Sequence, residues 1–125
     1  MAGIFKLLSL VLFVALMSKV TYQQGCDIRN IKIAQVATGS KAGGKPEWKV
    51  TITNDCKCTQ TQIKLSCSGF QSAEPVDPSI LSKNGDVCLL VNGGPIFGFQ
   101  TTVTFNYAAD SQCPFKPVDS IVSCS

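Results

Sequence analysis

Two patterns divide the chain. Within residues 1–20 fifteen positions are apolar, and from Leu7 to Met17 only Ser9 interrupts the run. That run is shorter than the roughly 20 apolar residues a bilayer-spanning helix needs. Lys6 gives it a positive start, and no polar stripe divides Leu10 to Met17 as an amphipathic helix would require. A positive start followed by a short apolar centre is the signature of a secretory signal peptide. The expectation is a leader over residues 1–25, cut between about positions 18 and 25, and one cysteine-rich β-domain over 26–125.

Beyond the leader the period becomes two. Trp48, Val50 and Ile52 alternate with Lys49, Thr51 and Thr53, which is the pattern of a half-buried strand. Ile63, Leu65 and Cys67 alternate in the same way, and so do Val103, Phe105 and Tyr107. The polar stretch Asn54–Gln60 between the first two runs reads as a hairpin connection. Ile31 and Ile33 begin a further strand, with Ala34 and Val36 out of phase and suggesting a bulge. Cys88 to Val91 is a short buried run, and Val118 to Cys124 a last strand. Turn residues separate the runs at Thr38–Pro46, at Asn84-Gly85-Asp86 and at Asn92-Gly93-Gly94-Pro95, the last read as a hairpin turn. Asp77-Pro78-Ser79 reads as one helical turn, capped by Asp77. No long stretch repeats at 3.6. Short strands with frequent turns predict an all-β domain, either sandwich or barrel. The expectation adopted is a small disulfide-stabilised antiparallel β-sandwich.

Charge narrows the partners. Without residues 1–25 the chain keeps nine basic and eight acidic residues and no basic run longer than one. Nucleic acid and anionic membranes therefore lose the electrostatic attraction they depend on. No second apolar stretch approaches membrane length, so no membrane insertion is expected once the leader is removed.

The seven cysteines, Cys26, Cys56, Cys58, Cys67, Cys88, Cys113 and Cys124, all follow the leader. Such density in a small exported domain points to disulfides, each contributing roughly 3–4 kcal/mol by the chain-entropy model. A zinc site is disfavoured, because Cys56 and Cys58 are too close for the usual ligand spacing and the chain has no His. That spacing also argues against pairing Cys56 with Cys58. Seven is odd, so one thiol is left over, and the pairing stays open.

The residues give little support for catalysis. The lack of His removes the Ser-His-Asp and Cys-His sites. The eight acidic residues are scattered, and no element brings two to one face as glycoside hydrolysis needs. No Gly-rich phosphate loop or G-x-S-x-G elbow is present. Trp48 shares its phase with Val50 and Ile52, which places it in the core. Phe70, Phe97, Phe99 and Phe115 fall in loops or beside Gly, where one or two become recognition anchors if exposed. No enzyme activity, cofactor or metal is expected.

The ordered pieces carry a resemblance. They are Cys26-Asp27, Trp48 to Asn54, Cys56-Lys57-Cys58, Ile63 to Ser72, Val76-Asp77-Pro78, Cys88 to Ile96, Phe105 to Ala108 and Val122-Ser123-Cys124. Together they are similar to the TAPETUM DETERMINANT family of small secreted cysteine-rich plant proteins, over roughly residues 26–125. The resemblance implies that Cys26, Cys56, Cys58, Cys67, Cys88 and Cys124 form the disulfide framework. Cys113 lies outside it as a free thiol, able to remain single in a monomer or to join two chains as a disulfide-linked dimer. It also implies a signalling ligand secreted to the apoplast that binds the extracellular domain of a leucine-rich-repeat receptor kinase and directs cell differentiation, in the anther for the family's founding member. The alternative is a carbohydrate-binding module of the plant cell wall, for which aromatic residues are few.

Overall fold

The computed structural model describes residues 25–124. The expected leader therefore lies, but for Gly25, outside the described residues. Seven strands follow in order: β1 (Ile31–Ala42), β2 (Lys45–Asn54), β3 (Thr59–Ser66), β4 (Leu81–Asn84), β5 (Val87–Leu90), β6 (Thr101–Ala108) and β7 (Lys116–Ser123). They form two antiparallel sheets, ordered β1-β2-β6 and β4-β5-β3-β7. Single 3₁₀ turns occupy Ile28–Asn30 and Val91–Gly93. The all-β, two-sheet reading of the sequence holds.

The alternation decides which face is buried. Val50 and Ile52 of β2 and Phe105 and Tyr107 of β6 point inward from the three-stranded sheet. Ile63 and Leu65 of β3 and Cys88 and Leu90 of β5 meet them from the other. Burial of this apolar surface is the main force holding the sheets face to face. At one end of the core Phe70, Phe105, Tyr107 and Phe115 form a cluster with edge-to-face and tilted contacts at centroid distances of 5.2–6.4 Å. Trp48 packs at the margin of the core, and its indole N–H donates to the carbonyl of Ala109 at 3.1 Å.

Three local readings are corrected. Asn54–Gln60 is no hairpin: β2 and β3 lie in different sheets, so this segment crosses the sandwich. Both runs bury one face, and alternation is the same whether two such runs pair or oppose each other. Asn92–Pro95 likewise makes a 3₁₀ turn on the path from β5 to β6, across the sheets, with the Gly94 N–H donating to the carbonyl of Val91 at 2.9 Å. Thr38–Pro46 is mostly strand. The long β1-β2 hairpin turns only at Gly43-Gly44, where both φ are positive at 58° and 77°, as a two-residue primed turn requires. The β1 bulge lies between Ala37 and Lys41, beyond Ala34 and Val36, which keep regular pairing with β2. Val36 simply faces outward, and Gln35 holds the inward position. The Asp77 turn is present: Asp77 Oδ1 accepts from the Ser79 N–H at 2.9 Å and its carbonyl from the Ile80 and Leu81 N–H groups.

Candidate functional site: a disulfide-braced loop surface

At the end of the sandwich where β2 crosses to β3, two disulfides hold the crossing segment. Cys26 joins Cys56 across 30 residues, and Cys58 joins Cys124 across 66. Neighbouring cysteines thus reach opposite ends of the described chain. The sulfurs of Cys26, Cys58 and Cys124 lie within 4.8 Å of one another. Oxidised in disulfides, they offer no thiolate to a metal. The third bridge, Cys67–Cys88, is buried and ties the residue just after β3 to the paired strand β5.

Beneath this end lie two buried polar side chains. Asn54 ends β2 in the inward phase of Val50 and Ile52 and is fully buried. Its amide donates to the carbonyls of Cys58 at 2.8 Å and Ile96 at 2.9 Å, while Oδ1 accepts from the Cys56 N–H at 3.2 Å. Gln60, also fully buried, donates to the Asp27 carbonyl at 3.0 Å and to Asn54 Oδ1 at 3.4 Å. Its own oxygen accepts from the Ser120 hydroxyl at 2.6 Å. Backbone pairing of Gln60 with Ile96 at 2.8–3.1 Å completes the clamp. The network joins the N-terminal turn, the crossing segment, the β5-β6 loop and β7. Sequence reading took Asn54 and Gln60 as loop polarity. The available signal was phase, since Asn54 continues the Trp48–Val50–Ile52 period.

The β5-β6 loop is carried on that clamp. The four candidate phenylalanines separate here. Phe70 and Phe115 are buried in the aromatic cluster. Phe97 and Phe99 are 61% and 81% exposed.

Cys113 sits elsewhere, 8% exposed, unpaired and lined up with a polar bridge. Its N–H donates to the Tyr107 hydroxyl at 2.8 Å and its carbonyl accepts from the Gln35 amide at 2.6 Å, while the Tyr107 hydroxyl donates to Gln35 Oε1. Burial pushes the thiol above its ordinary pKa, against a smaller opposing pull from Lys83. A buried, protonated thiol is a poor nucleophile.

One pair of carboxylates does meet, which the sequence did not indicate. Glu74, in the long β3-β4 connection, has a buried Oε1 with no hydrogen-bond partner. Its carboxyl lies against that of Glu47 on β2, which accepts from the Thr38 hydroxyl at 2.8 Å. A hydrogen bond with the Glu47 carboxyl, then burial and the nearby negative charge, raise the Glu74 pKa above its ordinary value of 4.5.

Residues 27–125 match the family model described as Tapetum determinant 1, C-terminal. Among curated relatives, the chain is similar to TPD1 protein homolog 1B of Oryza sativa subsp. japonica, at 36% identity over 84 residues, covering 66% of this chain and 50% of the relative. It is also similar to TPD1 protein homolog 1 of Arabidopsis thaliana, at 31% identity over 104 residues, covering 81% of this chain and 56% of the relative. The chain thus spans about half the length of the curated relatives it matches. No solved structure matches it. With the family model covering nearly all of the described β-sandwich, the chain belongs to the tapetum determinant family.

Proposed function

We propose that this protein is a secreted, non-catalytic signalling ligand that binds the extracellular domain of a plant leucine-rich-repeat receptor kinase. The observation that carries this reading is family membership across residues 27–125, which hold five of the six bridged cysteines, Cys26 lying one residue before them. The disulfides support export, since such bonds persist in oxidising compartments. They also support recognition by shape. A small domain held by three cross-links presents its loops in one arrangement, which lowers the entropy lost on binding. The ligand would act in the apoplast and bias cell differentiation, in reproductive tissue if it shares the founding member's role.

The test is binding of oxidatively folded mature protein to a panel of recombinant leucine-rich-repeat receptor ectodomains. Cellulose, xylan and pectin are measured on the same instrument. Saturable binding to one ectodomain, abolished by reduction, is the expected result. Binding to a polysaccharide alone would replace this reading with a wall-binding module.

A further inference from the structure

Phe97 and Phe99 stand out among the exposed apolar residues for the way their loop is built. Phe99 and Gln100 both have positive φ, 61° and 68°. Two consecutive non-glycine residues in the left-handed region cost backbone energy, and such strain persists only where the surroundings enforce it. Here they do. The Phe99 N–H donates to the Cys56 carbonyl at 2.8 Å, and the Gln100 N–H to the Asn54 carbonyl at 3.0 Å. The Thr101 hydroxyl closes the loop onto the Gly98 carbonyl at 2.9 Å. Gly98 lies so close to the crossing segment that a Cβ there would come within 2.5 Å of the Cys56 carbonyl. Only glycine allows that approach. The segment beneath is fixed at Cys56 and again at Cys58 by disulfides. The fold therefore holds a strained loop rigidly and uses it to place a large apolar ring in water.

The charge beside it is equally one-sided. Lys57, between the two bridged cysteines, is exposed and lines one cleft with Phe99, Thr59, Ser123 and the Cys58–Cys124 bridge. It makes no ion pair or side-chain hydrogen bond among the described residues, whereas neighbouring Asp55 is held by Asn30 and Asp27 by Arg29. Phe has no polar handle, so its gain comes from burial in a closed apolar pocket.

We propose that Phe99 and Lys57, with Phe97 exposed two residues earlier on the same loop, form a docking site for a protein partner whose surface offers an apolar recess beside a carboxylate. The site deepens the receptor-ligand reading and rests on the protein acting by binding a protein. The rings are the anchors, and Lys57 sets orientation and encounter rate by pairing with the partner's acid.

The test uses folded mature protein carrying the photocrosslinker p-benzoylphenylalanine in place of Phe99. A control carries it in place of Val36, which is 57% exposed on the outer face of the three-stranded sheet. Both are irradiated on plant plasma-membrane and wall preparations, and adducts are mapped by mass spectrometry. The expected result is a protein adduct at position 99 only, on a peptide with apolar residues and an Asp or Glu. Unlabelled protein should compete it away, and the Phe97→Ser/Phe99→Ser double variant should not. Labelling equal at 99 and 36, no adduct at 99, competition by the double variant, or an adduct to sugar or to a second copy of the chain would overturn the proposal. An adduct to a protein other than a receptor kinase would keep the site and discard the receptor reading. Ectodomain binding unchanged in the double variant would do the reverse. In a binding assay with the adducted partner, the double variant should lose about thirtyfold or more and Lys57→Glu about tenfold. A Phe99→Gly variant separates docking from folding. It relieves the left-handed strain, offset by a freer unfolded chain, and the ring it removes is 81% exposed, so its thermal midpoint should change little while binding falls. A fall in both would assign Phe99 a structural role instead.

Discussion

Single residues carry more of this fold than their types announce. Asn54 satisfies two carbonyls and receives an N–H in a site without exposure. Asn54→Ala strands these groups, and a buried unsatisfied group costs about 1–3 kcal/mol. The expected loss is about 3 kcal/mol in a urea titration of the oxidised protein, with the phenylalanine loop loosened first, visible as faster amide exchange at Ile96 and Phe99. Tyr107→Phe tests the second polar bridge. It removes the hydroxyl shared by Gln35 and the Cys113 N–H and should cost about 1–3 kcal/mol with the aromatic packing kept. Cys113 itself should resist iodoacetamide in the native state and take up one equivalent in denaturant, and the protein should run as a monomer without reductant. Rapid native alkylation would contradict its burial. Of these positions, Asn54 and Gln35 were accessible to the pattern, because each occupies an inward phase with a polar side chain. Gln60 was not, because a bulge with Gln62 at φ 50° shifts the phase between it and Ile63.

Among the elements, the long β3-β4 connection is held to the three-stranded sheet through Ala73 and Ser72. The Ala73 N–H donates to the Ala108 carbonyl at 2.8 Å, and the Ser72 hydroxyl accepts from the Ala108 N–H at 3.0 Å. The Glu74–Glu47 contact lies in this same attachment and makes it pH-sensitive. The folded pKa of Glu74 is raised above 4.5, so folded protein keeps a proton that the unfolded chain has lost. The stability this contributes is fully present below 4.5 and disappears as pH rises through the folded value. Asp27 and Asp77 act in the opposite sense. Their pKa values are lowered below 3.8, first by the Arg29 hydrogen bond and by the Ser79 N–H respectively, so their contribution is lost only as pH falls beneath that range. Thermal midpoints should therefore rise on acidification from neutral pH toward 4.5, and Glu74→Gln should flatten that rise. A midpoint independent of pH in the wild type would show that folding does not raise the Glu74 pKa. Every strand but β4 was legible as an alternating or apolar run, but the pairing of Glu47 with Glu74 was not, since it joins a strand to a connection 27 positions away.

For the whole molecule, the disulfides set both stability and presentation. Cys58–Cys124 closes the longest loop, 66 residues, and its removal by Cys58→Ala/Cys124→Ala should cost about 4 kcal/mol in the chain-entropy model. The same double variant frees one end of the crossing segment on which Phe99 rests, so it should also weaken partner binding in the folded fraction. Binding that survives intact would separate the bridge from the loop. The all-β class, the phases of β2, β3 and β6 and the family were legible in the sequence, because these depend on local periodicity and on the order of residues along the chain. Tertiary structure alone decided that β2 and β3 oppose rather than pair, which cysteines join and which phenylalanines face water. A period-two run records only that one face is buried, and a cysteine or a loop phenylalanine records only its chemistry. What each of them meets depends on how distant segments are brought together, and in this protein the meeting point is the end of the sandwich where Asn54, Gln60 and two disulfides converge.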